Sequence, residues 1–288
     1  MKANSVHGAH RLSLEIHASD YHTPKLSRET FCRRAGSIFG NLVAMAVIRI
    51  AMWSGPRNIS TAMMRAWENR GDTQVWDEPL YAYYLKQTGL DHPLREEIIA
   101  HYETDWARLE RQLVEDTPDG AGIFYQKHMT HHLLPEIPRD WLGRLKHCFL
   151  VRHPREVLAS YTQKRENPTL PDLGYEQQVE IYNFVAEKQG AAPPPVFDAR
   201  DILEQPEPML REMCRRLDVP FTPRMLSWPA GRRDSDGIWA KHWYHAVEQS
   251  TGFAPYHPKP DPVPAAYADL YEACLPHYEA LYKIRVQL

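Results

Sequence analysis

The chain of 288 residues is 43% hydrophobic and 25% charged, enough apolar material for one large globular domain. Its formal net charge of −3 argues against a surface built to coat nucleic acid. The four cysteines, Cys32, Cys148, Cys214 and Cys274, form no CxxC pair and no disulfide framework, which points to a reducing, cytoplasmic setting.

Residues 1–44 have weak periodicity, many His, Ser and Arg, and no core face. A disordered extension, a targeting peptide and an over-long start with Met45 as initiator all fit them. The reading adopted is a dispensable extension ahead of one domain at 45–288. A secretory leader is not indicated, because no sustained apolar segment with a small-residue cleavage site follows the basic start. The apolar run 39–53 is too short to span a bilayer and is interrupted by Arg49.

From about Met45, short apolar runs alternate with helical stretches. Strands are predicted at 46–53, 73–76, 122–126, 147–151 and 196–198. Helices are predicted at 60–69, 80–87, 93–115, 154–164, 175–189, 206–217 and 264–281, the last broken or kinked near Pro276. The alternation predicts an α/β fold: a mostly parallel sheet covered by helices on both faces, in three α/β/α layers. The 24 prolines fall mainly between elements, as in "AAPPPV" and "YHPKPDPVP", and mark loops.

In an open parallel sheet, ligands bind at the carboxyl ends of the strands. After the first strand come Arg57, Asn58, Ser60 and Thr61, in "WSGPRNISTA". Backbone N–H groups at a helix start, two hydroxyls and a permanent cation make an anion nest. The plainer alternative is that Ser60 or Thr61 only caps the helix. The lysine of G-x-x-x-x-G-K-[ST] is missing, so the loop lacks the residue that a nucleotide-hydrolysing P-loop relies on. After the fourth strand, "VRHPREVLASY" offers Arg152 at the strand end and Ser160 two helical turns on, able to grip one phosphate from two sides.

Both segments resemble those of the sulfotransferases that use 3′-phosphoadenosine 5′-phosphosulfate. "PRNIST" is similar to that family's 5′-phosphosulfate loop, and Arg152 to Tyr161 to its R-x-P-x-x-x-x-x-S-Y 3′-phosphate motif. "QKHMTHHLLP" resembles the stretch K-T-H-L-P-x-x-L-L-P; aligned through Pro135 it sets His128 on the catalytic histidine. "RRDSDGIW" resembles the late R-K-G-x-x-G-x-W loop that closes on the 3′-phosphate, which implicates Arg232 and Arg233. "FDARDILEQPEPMLREMCRRLDVPF" is similar to an E-D-L, helix, L-G-x-P-F element of bacterial members. The likeness runs in family order from about Met45 to Phe253, and extends to a subfamily that in plants occurs joined to branched-chain-aminotransferase-like proteins. No segment reads as a pyridoxal-phosphate site.

The resemblance implies a P-loop fold and in-line sulfuryl transfer, without metal, to a hydroxyl or amine of a small-molecule or carbohydrate-like acceptor. Arg57 is then expected to neutralise the leaving group, with Asn58, Ser60, Thr61, Arg152, Ser160, Arg232 and Arg233 holding the donor. His128 is expected to be the general base on positional grounds; Glu78, in "WDEPLY", occupies the place of the catalytic acid in carbohydrate-acting members, or simply favours the helix dipole. Two departures stand out: Ala62 where many members stack a Trp on adenine, and Asp234 in place of the glycine after the late basic pair. Tyr81, Tyr83 and Tyr84 are read as core or as acceptor-pocket lining. The cluster His128, His131 and His132 has no adjacent carboxylate or thiolate to complete a zinc site, so no metal is expected. A non-catalytic nucleotide binder on the same fold is the rival reading, and a P-loop kinase or NTPase a further one. No nucleic-acid or membrane partner is expected, and the oligomeric state is not legible.

Overall fold

Five strands form one sheet in the order β2-β3-β1-β4-β5, every neighbouring pair parallel. They are β1 Ile48–Ser54, β2 Thr73–Asp77, β3 Ile123–Met129, β4 Lys146–Val151 and β5 Val196–Asp198. The computed structural model describes residues 47–288 except 117–119, 164, 191 and 259–262, so the expectation for 1–44 lies outside the described residues.

The helices among the described residues begin with α1 Ser60–Glu68, α2 Tyr81–Thr88, α3 Arg95–His101, α4 Trp106–Val114, α5 Pro154–Tyr161 and α6 Leu170–Leu173. They continue with α7 Tyr175–Gln189, α8 Ala199–Glu204, α9 Pro206–Arg216, α10 Ala240–Trp243, α11 His245–Glu248 and α12 Ala268–Tyr282.

Alternation along β1 divides the core in two, since successive side chains leave a strand on opposite faces. Ile50 and Met52 pack with Met63 and Trp67 of α1 and Met209 and Met213 of α9. Ala51 and Trp53 pack with Leu113 of α4, Val185 of α7 and Cys274 of α12. A sheet apolar on both faces requires helices on both, which is the expected three-layer arrangement. β1 lies between β3 and β4, so the loop leaving its carboxyl end opens in the crevice where the chain order reverses.

Three elements differ from expectation. The helix expected at 93–115 is two, α3 and α4, because Asp105 accepts from the Arg108 amide and caps a fresh start. The helix containing Pro276 is continuous from Ala268 to Tyr282. Pro276 removes one amide donor, but Cys274, Tyr278 and Leu281 on either side of it are buried and hold both halves in place. β3 runs three residues beyond the expected 122–126, which puts His128 inside a strand rather than in the loop after it.

The late segment 232–252 is fastened to this frame by charge. Arg65 of α1, almost wholly buried, bonds Asp236 at 2.6 Å. Glu68 accepts from Arg233 at 2.9 Å and from the Ser235 hydroxyl at 2.5 Å. Removing Asp236 would leave buried Arg65 with only Glu68, 3.7 Å away and already held by Arg233, as a charged partner. Asp236→Ala should therefore destabilise by about 3 kcal/mol or more, while Arg65→Met with Asp236→Leu should recover most of the loss. Urea unfolding of the wild type, the single variant and the double variant checks this; a single variant within 1 kcal/mol, roughly the value of a surface pair, would refute it.

Candidate active site

The loop after β1 is built for close approach. A Cβ on Gly55 would fall 2.6 Å from the Leu173 carbonyl oxygen, so only glycine fits there. Pro56 follows, and Arg57 takes a left-handed φ of 55°, unusual for a side chain with a Cβ. Asn58 borders the cavity that this loop opens into, with its side-chain polar atoms engaged by backbone. It donates to the Leu150 carbonyl at 2.8 Å and accepts from the Ile59 amide at 2.9 Å, pinning the loop to β4.

α1 then starts at Ser60 with no side-chain cap. Ser60 and Thr61 are the two hydroxyls at this start. Neither caps the helix, and the first-turn amides open beside Arg57 into a cavity of about 350 Å³. Arg152 and Ser160 line the same cavity. Arg57 Nε donates to Ser160 Oγ at 3.0 Å, and Arg152 donates to the Arg57 carbonyl at 2.8 Å and to Glu156 at 2.9 Å. Burial, and next the charge of Arg152, lower the pKa of Arg57. The two motifs that the sequence placed 95 residues apart meet directly.

Opposite them, Lys127 is buried and donates to Asp77 Oδ1 at 2.8 Å, Glu78 Oε1 at 2.6 Å and the Tyr244 hydroxyl at 2.7 Å. Burial alone would lower its pKa, but Asp77 and Glu78 overcome that and hold it well above the ordinary value. Glu78, at a left-handed φ of 45°, lines the cavity with its side chain 12% exposed. Burial raises its carboxyl pKa; Lys127 opposes that and Asp77 adds to it. Arg57 and Glu78 are two of five non-glycine residues at positive φ among those described, and both follow strand carboxyl ends.

His128 does not reach this cavity. Residues two apart on a strand share a face, so Lys127 and Met129 line the cavity while His128 points the other way. It is 1% exposed, stacked on Trp53 at 4.4 Å between ring centres, with Nε2 3.1 Å from Gln126 Oε1. The family stretch has its histidine two residues after its lysine, on the same face; two residues after Lys127 stands Met129. Alignment through Pro135 missed that parity. His131 and His132, in the turn after β3, do line the cavity.

Arg232 and Arg233 do not reach it either. Arg233 is paired with Glu68, and Arg232 borders a separate surface hollow with Glu97 and Lys241. The segment after them contributes instead: Trp239, Trp243, Tyr244 and Phe253 line the cavity together with Ala62. Tyr83 points into the core beneath Trp106, while Tyr81 lines the cavity. Among the described residues, no group of three or more His, Cys, Asp or Glu is placed to hold a metal ion, and no helix is long and apolar enough to cross a membrane.

A parallel sheet of this order, covered by helices and with an arginine-flanked helix start after its central strand, is a fold of the P-loop α/β class. Within that class, the sulfotransferase domain family matches residues 48–285, and the chain belongs to it. It is 38% identical over 235 residues to branched-chain-amino-acid aminotransferase-like protein 1 of Arabidopsis thaliana, across 81% of this chain and 41% of that protein. It is 35% identical over 232 residues to protein 2 of the same plant, across 81% and 41%. The chain thus spans about two-fifths of the curated relatives it matches. The sulfotransferase of Alicyclobacillus acidocaldarius shares the fold, with a TM-score of 0.51 at 12% identity over 84% of this chain and 98% of that one.

Burial holds the pKa of His128 at about 3 and that of His147 at about 4, against an ordinary value near 6.5. The unfolded chain therefore binds protons that the folded chain does not, and stability present above pH 6.5 is lost as pH falls toward 4. Asp198, raised by burial to about 6, works in the opposite sense and offsets one histidine. Each buried histidine contributes about 1.4 kcal/mol per pH unit in that window. Urea midpoints at pH 7 and 5 should show the wild type losing more stability on acidification than His128→Asn. Equal losses would mean that folded His128 takes up its proton as readily as the unfolded chain does.

Proposed function

We propose that the protein transfers a sulfuryl group from 3′-phosphoadenosine 5′-phosphosulfate to a hydroxyl or amine of a small-molecule or carbohydrate-like acceptor. The observation that carries this reading is the uncapped start of α1 opening into one cavity with Arg57, Arg152 and Ser160. An anion site with two guanidinium groups and a free helix N-terminus suits a donor with phosphate at both the 5′ and 3′ positions. Family membership supports the same reaction.

In this reading the first-turn amides of α1, Ser60, Thr61 and Arg57 hold the 5′-phosphosulfate, and Arg152 with Ser160 the 3′-phosphate. The acceptor oxygen or nitrogen attacks sulfur in line; the bond from sulfur to the 5′-phosphate oxygen breaks, and adenosine 3′,5′-bisphosphate leaves. Arg57 offsets the charge that grows on the leaving oxygen. Glu78 takes the acceptor's proton. It is favoured over His132 because a carboxyl raised by burial becomes a stronger base, whereas His132 is held well below its ordinary value and is a weaker one. Trp243 and Phe253, on the late segment, offer the apolar wall that Ala62 does not.

Arg152→Ala should weaken adenosine 3′,5′-bisphosphate binding by about 2 kcal/mol, through loss of a charge-assisted contact. It should cost much less for adenosine 5′-phosphosulfate, which lacks the 3′-phosphate. Calorimetry without Mg²⁺ reads both; equal losses would make Arg152 purely a brace for the loop, and ATP binding that needs Mg²⁺ would favour the kinase reading.

Glu78→Gln should lower the maximal rate with labelled donor roughly 10²-fold or more, while His128→Asn stays within a few-fold. The wild-type rate should rise with pH along a limb centred above the ordinary carboxylate value of about 4.3. A full rate in Glu78→Gln would remove Glu78 from the mechanism. Intact bisphosphate binding with no turnover across a broad acceptor panel would support the binder instead.

A further inference from the structure

Three further chain segments meet at the cavity: Tyr81 on α2, His92 between α2 and α3, and Arg165 just beyond α5. Arg165 Nη1 lies 2.5 Å from His92 Nε2, and the Tyr81 hydroxyl 2.8 Å from His92 Nδ1. A guanidinium can only donate, so Nε2 accepts and the proton of the neutral ring sits on Nδ1. Nδ1–H then donates to the Tyr81 oxygen, which leaves the Tyr81 O–H free to donate elsewhere. His92 is kept neutral by burial and next by Arg165, its pKa down at about 4.

The charges facing the cavity do not balance at this point. Lys127 is answered by Asp77 and Glu78, and Arg152 by Glu156. Arg57 is assigned to the donor. Arg165 has no carboxylate within 4.0 Å among the described residues, and its one side-chain partner, His92, is uncharged. Beside it, His132 is 2% exposed, lies flat against Tyr81 at 4.6 Å, and has no partner for its Nδ1. That nitrogen is 4.0 Å from the Glu78 carboxylate, so this wall runs on to the proposed base.

We infer that Arg165 and the Tyr81 hydroxyl, set by His92, form an anion subsite for the acceptor. The acceptor then carries a carboxylate or similar compact anionic group in addition to its nucleophilic hydroxyl or amine. This rests on the proposed function and names its acceptor class. A cationic acceptor is disfavoured, because the carboxylates at this end, Asp77 and Glu78, are already engaged by Lys127.

The test uses binding, so that it does not depend on turnover. The full chain, saturated with adenosine 3′,5′-bisphosphate, is titrated by calorimetry with 4-hydroxybenzoate against 4-hydroxybenzamide, and with 3-hydroxypropionate against its amide. The carboxylate of at least one pair should bind roughly tenfold tighter or better. Arg165→Met should erase that preference and Arg165→Lys should keep part of it. Tyr81→Phe, which preserves the ring stack, should reduce it a few-fold. Bisphosphate affinity should stay within about threefold in each variant. Amides binding as tightly as carboxylates, no carboxylate binding into the millimolar range, or a preference that survives Arg165→Met would each overturn the inference. Loss of bisphosphate binding in Arg165→Met alone would assign Arg165 to the donor and overturn it as well. Absence of bisphosphate binding by the wild type would instead strike the proposed function itself.

Discussion

Arg152 donates to the backbone carbonyl of Arg57 at 2.8 Å, and so fixes two like-charged residues from distant segments at the carboxyl edge of the sheet. Their repulsion is visible in the lowered pKa of Arg57, to which burial contributes first and Arg152 next. The pair is held by groups that are themselves anchored. Ser160 accepts from Arg57, Glu156 accepts from Arg152, and the Tyr256 hydroxyl donates to the second oxygen of Glu156. Two guanidiniums kept close in a partly buried setting lose stability relative to being apart, and regain it when an anion lies between them. The sheet order, the glycine at 55 and the loop's left-handed arginine are the means of keeping them there.

Across the cavity the balance has the opposite sign. One buried ammonium, Lys127, faces two carboxylates, Asp77 and Glu78, while the Tyr244 hydroxyl and the Gly237 amide also donate to Asp77. Asp77 therefore holds most of the donors, while burial raises the carboxyl pKa of Glu78. The same network joins β2, β3 and the late segment, so Glu78 and the wall carrying Trp239 and Trp243 are set by a single buried cation. A change at Tyr244 should act on both at once.

Much of this was legible in the sequence. The strand–helix alternation is a direct consequence of burying both faces of a parallel sheet, and the strand–loop–helix turn after β1 follows from Gly, Pro and two hydroxyls before an apolar helical period. Arg57, Ser60, Thr61, Arg152 and Ser160 do converge on one cavity, because the ends of adjacent parallel strands must. His128 failed for a reason the sequence also held. Once "GIFYQKHM" is read as a strand running to Met129, a period of two sets His128 with Phe124 and Gln126, away from Lys127. Arg233 failed because its partner, Glu68, lies far off in sequence and no local pattern announces an ion pair, and Arg232 borders a separate hollow. His92, Arg165 and Tyr244 went unnoticed because each sits alone in a loop or short turn, where chemistry depends on what another segment brings beside it.

The late segment shows how the departures at Ala62 and Asp234 fit together. With a small residue on α1, the wall of the cavity near the helix start must come from elsewhere, and Trp243 and Phe253 supply it. That is possible only if the segment is held in place, since an aromatic wall on a loose strand would not be a wall. It is tied at its start by Asp236 to Arg65, in the middle by Tyr244 to Asp77, and at its end by the Trp228 amide donating to the Thr251 carbonyl. The basic pair has been turned toward this fastening: Arg233 grips Glu68 of α1 rather than facing the cavity. The charge of Arg233 serves to hold this aromatic wall to α1, and Arg152 and Ser160, not the late basic pair, line the cavity.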